Sequence, residues 1–320
     1  MKKTIALLLC VLMALSFVAC GQKKEEAEKK VDYPVKNIEM VVPFSAGGST
    51  DINARLLAKA AEKKLPEGIN IVVNNVPGGS STIGTAEVVD APADGYKILM
   101  TSTAPLTIAP HQGNAAYKYN DVTPVIKVSQ TPQILVVRAD SQWHNYDEWM
   151  EWVKANPGKF TYGVAGIGTT SHLVMENLNV EAGIETTVVP FKSSNESQAA
   201  VLGGNVDGFV VSFLAPNEEL RPLFSFGMES PMYDIPTLKS KGFSEINMTY
   251  GIFVPKGTPA EVVQYLHDAF KAALDDPEVI AGYESSGVVV NYADGETFAK
   301  EIETENAAFG ETMKKIGLAK

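Results

Sequence analysis

The segment from Met40 to Leu65 constrains this chain more than any other: a short apolar run, a turn of small residues, and then a helical pattern. Val41, Val42 and Phe44 favour an extended strand, which Pro43 and then Ser45, Ala46, Gly47 and Gly48 stop in a tight turn. Ser49 or Thr50 can cap the helix that follows, Asp51 suits its first turn, and Ile52, Leu56, Leu57, Ala60 and Ala61 recur at the spacing of one buried face. Glycines let the backbone approach a ligand, and the open N–H groups at the positive end of a helix favour an anion such as a carboxylate or phosphate. A plain strand-to-helix turn explains one such loop equally well, so repetition decides.

The pattern does repeat. A strand over 69–74 runs into Pro77, Gly78, Gly79, Ser80, Ser81 and Thr82 and then a helix. This glycine loop lacks a Gly-Lys-Ser/Thr ending and the dinucleotide spacing, so no nucleotide or other cofactor is expected. A third strand over 97–102 ends in the hydroxyls of Thr101, Ser102 and Thr103, which suit a polar cleft. A strand over 160–164 leads into Gly166, Gly168, Thr169, Thr170, Ser171 and His172, and one over 187–190 into Lys192, Ser193 and Ser194. Asp207 stands at the start of a strand over 209–213.

Strands near 126–128 and 134–138, separated by Pro132, read as a first crossing into a second domain, and a strand over 250–254 as the return. Trp149, Met150 and Val153 form the inward stripe of a helix over 146–156, a core pattern. Thr258, Pro259 and Glu261 spell a capping box with proline at the first helical position, followed by an inward stripe of Val263, Leu266, Phe270 and Leu274. A last helix over 295–316 buries Phe298, Ile302, Phe309, Met313 and Ile316. At 320 residues and 45% hydrophobic content the chain can fill two cores.

Lys2 and Lys3 precede an apolar run from Ile5 to Val18, too short for a comfortable membrane span and suited to a secretory signal over 1–19. The run ends in Phe17-Val18-Ala19-Cys20-Gly21, which resembles a bacterial lipobox with Phe17 where Leu is usual. Lipidation of Cys20, palmitate included, is therefore expected, with a solvated Lys/Glu-rich tether over 20–34 and attachment to the extracytoplasmic face of the cell membrane. The only other cysteine, Cys10, lies in the segment to be removed, so no disulfide remains. Loss of Lys2 and Lys3, with no acid, takes the net charge from −11 to −13, which argues against nucleic-acid partners.

Catalytic signatures are missing. Ser171 and His172 are sequence neighbours without a Gly-x-Ser-x-Gly elbow, and the four histidines are scattered without a thiol pair to hold a metal. Asp51 facing inward would repel an anion, so its expected role is to hold the loop. Lys192 either meets the ligand or steers it from the rim. An enzyme on an anionic small molecule and a surface adhesin or sensor stand as rival readings.

Several stretches together resemble the Bug family, the extracytoplasmic solute receptors of tripartite tricarboxylate transporters. They are VVPFSAGGSTDINAR from Val41, NNVPGGSSTIG from Asn74, ADGY from Ala93, YNDVTPV from Tyr119, ANPGKFTYGVAGIGTTSHL from Ala155, VVPFKS, LGGNVDG, IPTL and FVPKGTPAEVV. Two departures are Gly79-Ser80-Ser81 where the family has Ala-Gly-Gly, and Ser193 where it has glycine; extra hydroxyls there point toward a more polar or smaller acid. The resemblance implies an α/β, bilobal fold of the type II periplasmic-binding kind, two domains joined by hinge strands, with 35–130 and 251–320 in one lobe and 131–250 in the other. It also implies a monomeric, non-enzymatic transport receptor that closes on a small organic carboxylate and docks on integral membrane subunits. The loop reading puts Phe44 to Asp51, Gly78 to Thr82 and Thr101 to Thr103 at the cleft, and the resemblance places Gly166 and Gly168 to His172, Lys192 to Ser194, and Asp207 around it.

Overall fold

The computed structural model describes residues 32–212, 214 and 216–320. The expected signal segment, Cys20 and most of the tether lie outside the described residues. Pro34 to Lys320 form one contiguous folded unit.

Two mixed sheets organise it. In the first, β1 (Ile38–Val42) lies parallel between β2 (Ile71–Asn75) and β3 (Lys97–Ser102). Beyond β3 the sheet continues antiparallel through β10 (Met248–Pro255), β4 (Val122–Thr131) and β11 (Val289–Asp294). In the second, β6 (Thr161–Val164) lies parallel between β7 (Thr187–Pro190) and β8 (Gly208–Val211), with β5 (Ile134–Arg138) and β9 (Leu220–Ser225) added antiparallel. Helices α1 (Ser49–Ala61) and α2 (Thr82–Val89) follow β1 and β2; α3 (Ala104–Thr107) follows β3. Helix α4 (Tyr146–Ala155) follows β5, and α5 (Thr170–Ala182) and α6 (Ser194–Leu202) follow β6 and β7. Helices α7 (Ala260–Leu274), α8 (Pro277–Ser285) and α9 (Gly295–Lys315) complete the chain.

Central strand β1 is buried on both faces, unlike the parallel edge strands β2 and β7, which is why it reads as a nearly continuous apolar run: Ile38, Met40, Val41 and Val42 are all inaccessible. The second lobe is built around aromatics, with Trp149 edge-on to Phe160 at 5.5 Å and against Phe224 at 5.0 Å. The lobes connect at residues 132–133, between β4 and β5, and again between β9 and β10. Helix α9 makes a third tie. Its Phe298 and Ile302 pack with Phe253 on the first sheet, whereas its Phe309 and Met313 belong to the second lobe's core and Thr312 Oγ1 donates to Asn177 Oδ1 at 3.0 Å.

Three local expectations are corrected. Ile52 is 54% exposed; the buried face of α1 instead carries Thr50, Asp51, Asn53, Ala54, Leu57 and Ala58, with Ala60 and Ala61 buried as expected. The capping box at Thr258 does not form, because Pro259 is the extended N-cap residue and the Thr258 hydroxyl donates to the Pro255 carbonyl at 2.8 Å. The buried stripe of α7 is Val262, Leu266, Ala269, Phe270, Ala273 and Leu274, so Leu266, Phe270 and Leu274 face inward as expected and only Val263 moves to the margin.

Candidate functional site

Both lobes place their central parallel strand between the strand that follows it and the next one after that: β2-β1-β3 in the first sheet and β7-β6-β8 in the second. The chain therefore leaves β1 and β6 at a topological switch point, where the crevice outside the carboxyl ends of the strands receives ligands in open α/β sheets. The loops over 43–48, 76–81, 165–169 and 191–193 all leave the carboxyl ends of β1, β2, β6 and β7. So does Thr101 to Thr103 at the end of β3, although all three residues are buried and Thr101 Oγ1 has no hydrogen-bond partner among the described residues.

The first loop is held from within. Asp51 is 3% exposed, and its carboxylate accepts from the Gly47 N–H at 2.8 Å, Asn75 Nδ2 at 3.0 Å and Arg55 Nε at 2.9 Å. Burial alone would raise its pKa; the Gly47 N–H, the Arg55 guanidinium and the Asn75 amide outweigh that and hold the carboxyl below its ordinary range. Asn75 Nδ2 also reaches the Phe44 carbonyl at 3.1 Å, so the end of β2 supports the loop after β1. Gly48 is the N-cap residue of α1, and no side chain caps that helix among the described residues. Phe44 is half-buried, while Ser45 to Gly48 are exposed and Thr50 is buried.

The second loop turns through four consecutive left-handed residues, Gly78 (φ 127°), Gly79 (φ 57°), Ser80 (φ 54°) and Ser81 (φ 74°). Two of these carry a Cβ, in a backbone region that disfavours one. The Thr82 hydroxyl donates to the Gly79 carbonyl at 2.7 Å, and no side chain caps α2.

The second lobe finishes its loops differently. Thr169 caps α5, accepting from the His172 N–H, while its hydroxyl donates to the Gly166 carbonyl at 2.9 Å. His172 is 4% exposed; its Nδ1 accepts from the Gly168 N–H at 3.0 Å and its Nε2 lies 3.7 Å from Glu176, which also accepts from the Tyr162 hydroxyl. Burial pushes the His172 pKa down against the opposing pull of Glu176, so the ring is neutral and serves the loop backbone. Ser171 Oγ donates to Gln133 Oε1 at 2.8 Å. Ser193 caps α6, and the Lys192 N–H donates to Glu196. The Lys192 side chain is exposed.

Asp207 stands apart from the other expected residues. It precedes β8, which runs parallel to β6, so it lies at the amino end of the sheet, where its carboxylate accepts from the N–H and hydroxyl of Thr161 at 2.8 Å each.

The model of the tripartite tricarboxylate transporter family receptors, TctC, matches residues 53–318. The chain belongs to this family. A Cupriavidus necator protein of the UPF0065 group is 33% identical over 320 residues, 96% of each chain. Among solved structures, a ligand-free TctC solute-binding protein from Polaromonas aligns with a TM-score of 0.81 at 28% identity, covering 88% of this chain and 99% of that one. The periplasmic binding protein BugD aligns at 0.68 with 30% identity, covering 90% and 99%. An R. palustris protein solved with adipate aligns at 0.71 with 27% identity over the same shares. Family and fold are those of Bug-type solute-binding receptors, built as two α/β lobes. No helix among the described residues is long and apolar enough to cross a membrane.

In this TctC-type receptor several supporting residues escape a reading of sequence alone. Gln112 Nε2 donates to the Gly168 carbonyl at 3.2 Å and reaches the third loop from the segment between α3 and β4. Tyr250, on β10, meets the Thr50 hydroxyl at the first turn of α1, and burial pushes its phenol pKa up. Gln112, Gln133 and Tyr250 carry no local motif, and Asn75 lies within the NNVPGGSSTIG stretch without any signal that it supports the first loop; only the fold makes these contacts. A separate cavity of about 580 Å³ lies between α9 and the segment around Glu245, and it shares no residue with the four loops. Burial there pushes the Glu305 carboxyl up to about 7, with the Thr103 and Thr107 hydroxyls opposing and Glu301 adding to the rise.

Proposed function

We propose that this receptor captures one small organic carboxylate in the cleft between its lobes and delivers it to the integral membrane subunits of a tripartite transporter. The observation that carries the reading is the pairing of switch points: in each lobe the loop after the central parallel strand is a small-residue turn into a helix, and in the first lobe neither following helix is capped by a side chain. An uncapped helix start offers N–H donors and a positive dipole end to an anion. The ligand set we assign is Phe44 to Thr50 and Gly78 to Thr82 from one side, and Gly166, Gly168 to Ser171 and Lys192 to Ser194 from the other. Asp51 and His172 serve the loops from behind. The lobes run over 35–130 with 251–320 and over 131–250, with the last turns of α9 packed across onto the second. The adipate held by the R. palustris relative supports the carboxylate class. Export under the signal over 1–19 and lipidation at Cys20 would hold the receptor at the extracytoplasmic face as a monomer.

A thermal-shift screen tests this. The mature protein is unfolded and refolded to strip carried-over ligand, then heated with mono-, di- and tricarboxylates, amino acids and phosphates. A specific ligand at about 100 times its dissociation constant adds ~2.7 kcal/mol. A large shift with one carboxylate, and no consumption of it, is the expected result; no shift with any carboxylate, or turnover of the compound that binds, overturns the reading.

A further inference from the structure

Gln133 occupies one of the two residues that connect β4 to β5, at the first crossing between the lobes. The register of the second sheet fixes where that is: Ile134 pairs with Val211, the last residue of β8, so Gln133 sits at the carboxyl edge of the parallel strands, beside the switch point between β6 and β8. Its main chain ties the two crossings together, because its carbonyl accepts the Phe226 N–H at 2.8 Å just after β9 ends. Its side chain is inaccessible, and Oε1 accepts the Ser171 hydroxyl of the third loop. That bond orients the amide and leaves Nε2 as its remaining donor, buried at this edge. Among the described residues Nε2 has no acceptor.

A buried amide donor without a partner is costly, and proteins rarely keep one that nothing ever satisfies. Apolar side chains of similar size would fill the position without that cost. An acceptor that arrives with a ligand accounts for its retention, and a carboxylate oxygen at the switch point, reached directly or through one water, is the acceptor the location suits.

We propose that Gln133 is a ligand-binding residue of the cleft, its Nε2 donating to the bound carboxylate while Ser171 holds the amide in the donating orientation. This rests on the receptor reading above. The hinge itself then takes part in recognition, so a ligand that engages Gln133 touches the crossing about which the lobes move.

The test is calorimetric titration of the refolded mature protein with adipate, malate, succinate and citrate, with wild type measured first. Gln133→Met keeps the volume and removes the donor. Affinity for the carboxylate that wild type binds is expected to fall about 10-fold to 100-fold, the loss of one hydrogen bond to a charged group. The ligand-free melting temperature is expected to hold or rise, because the unpaired donor is gone. Gln133→Glu keeps the Ser171 bond but turns a carboxylate toward the ligand, and it should bind more weakly still. Ser171→Ala should weaken binding less than either, since the amide remains but is free to flip. Binding by all three variants within twofold of wild type overturns the inference and leaves the receptor reading standing, as does a fall in melting temperature with unchanged affinity. Wild type that binds no carboxylate defeats both.

Discussion

The loops after β1 and β2 differ from those after β6 and β7 in how their helices begin. In the second lobe the chain completes its own helix ends: Thr169 caps α5, Ser193 caps α6, and His172 takes up the Gly168 N–H. In the first lobe Gly48 and Ser81 stand at the cap positions and no side chain fills either role. The left-handed backbone is also distributed differently. The third loop assigns it to Gly166 and Gly168, while the second loop imposes it on Ser80 and Ser81 as well. The loops of the second lobe thus complete their helix starts with their own side chains, whereas those of the first lobe do not, and the strain falls on the second loop. On the function proposed above, the first lobe would be the anion cradle and the second the wall opposite it.

The sharpest way to break this comparison is Asp51→Ala. It strips the acceptor from Gly47, Asn75 and Arg55 together, and loss of a buried charged acceptor costs about 2–4 kcal/mol. Denaturant unfolding should show the midpoint falling with an unchanged slope, and carboxylate binding should be largely lost as the first loop loosens. Gly48→Asp sharpens it from the other side. The position is already extended and has room for a Cβ, with only the Ser45 carbonyl near at 3.4 Å. An aspartate there caps α1, adds about 0.5–1 kcal/mol to the ligand-free protein and opposes an incoming anion, so stability should rise while affinity falls.

Acid should weaken the second lobe through His172, whose pKa is held below its ordinary 6.5 in the folded state. Above 6.5 the ring is neutral both folded and unfolded and its contribution is complete. As pH falls through 6.5 the unfolded chain takes up the proton first, and stability declines until the folded ring also protonates. A stability profile from pH 8 to 5 should therefore slope downward toward acid, and His172→Gln should flatten that component. The smallest effects belong to the caps. Ser193→Ala should cost about 1 kcal/mol in thermal unfolding through the lost cap, with a smaller fall in affinity than the first-lobe variants give. Ser81→Gly should gain a comparable amount by relieving a left-handed Cβ.

Much of the architecture is legible in the sequence wherever the signal is local. Small residues after apolar runs mark the loops, and Pro132 marks the first crossing between β4 and β5. Elements with weak local signals are not legible. Strand β9 carries Pro222 inside it, which an edge strand tolerates because one side of its ladder is unpaired, and the proline hides it from a reading by propensity. Helix α8 begins with Asp276 and Pro277 but buries only Val279 and Tyr283, too short a stripe to stand out. Family resemblance groups Asp207 with the cleft, whereas strand direction puts it at the far end of the sheet. Gln112, Gln133 and Asn75 act over separations of 56, 38 and 24 residues, and no periodicity reports a contact of that kind.

The division between the lobes is tested most directly by backbone amide NMR of the refolded mature protein, titrated with the carboxylate that stabilises it most. Saturable shifts are predicted to be largest at the N–H groups of Ser49 to Asp51 and Gly79 to Thr82, with smaller changes over Gly166 to Ser171 and Lys192 to Ser194. Shifts confined to the second-lobe loops, with the starts of α1 and α2 unmoved, would contradict the division.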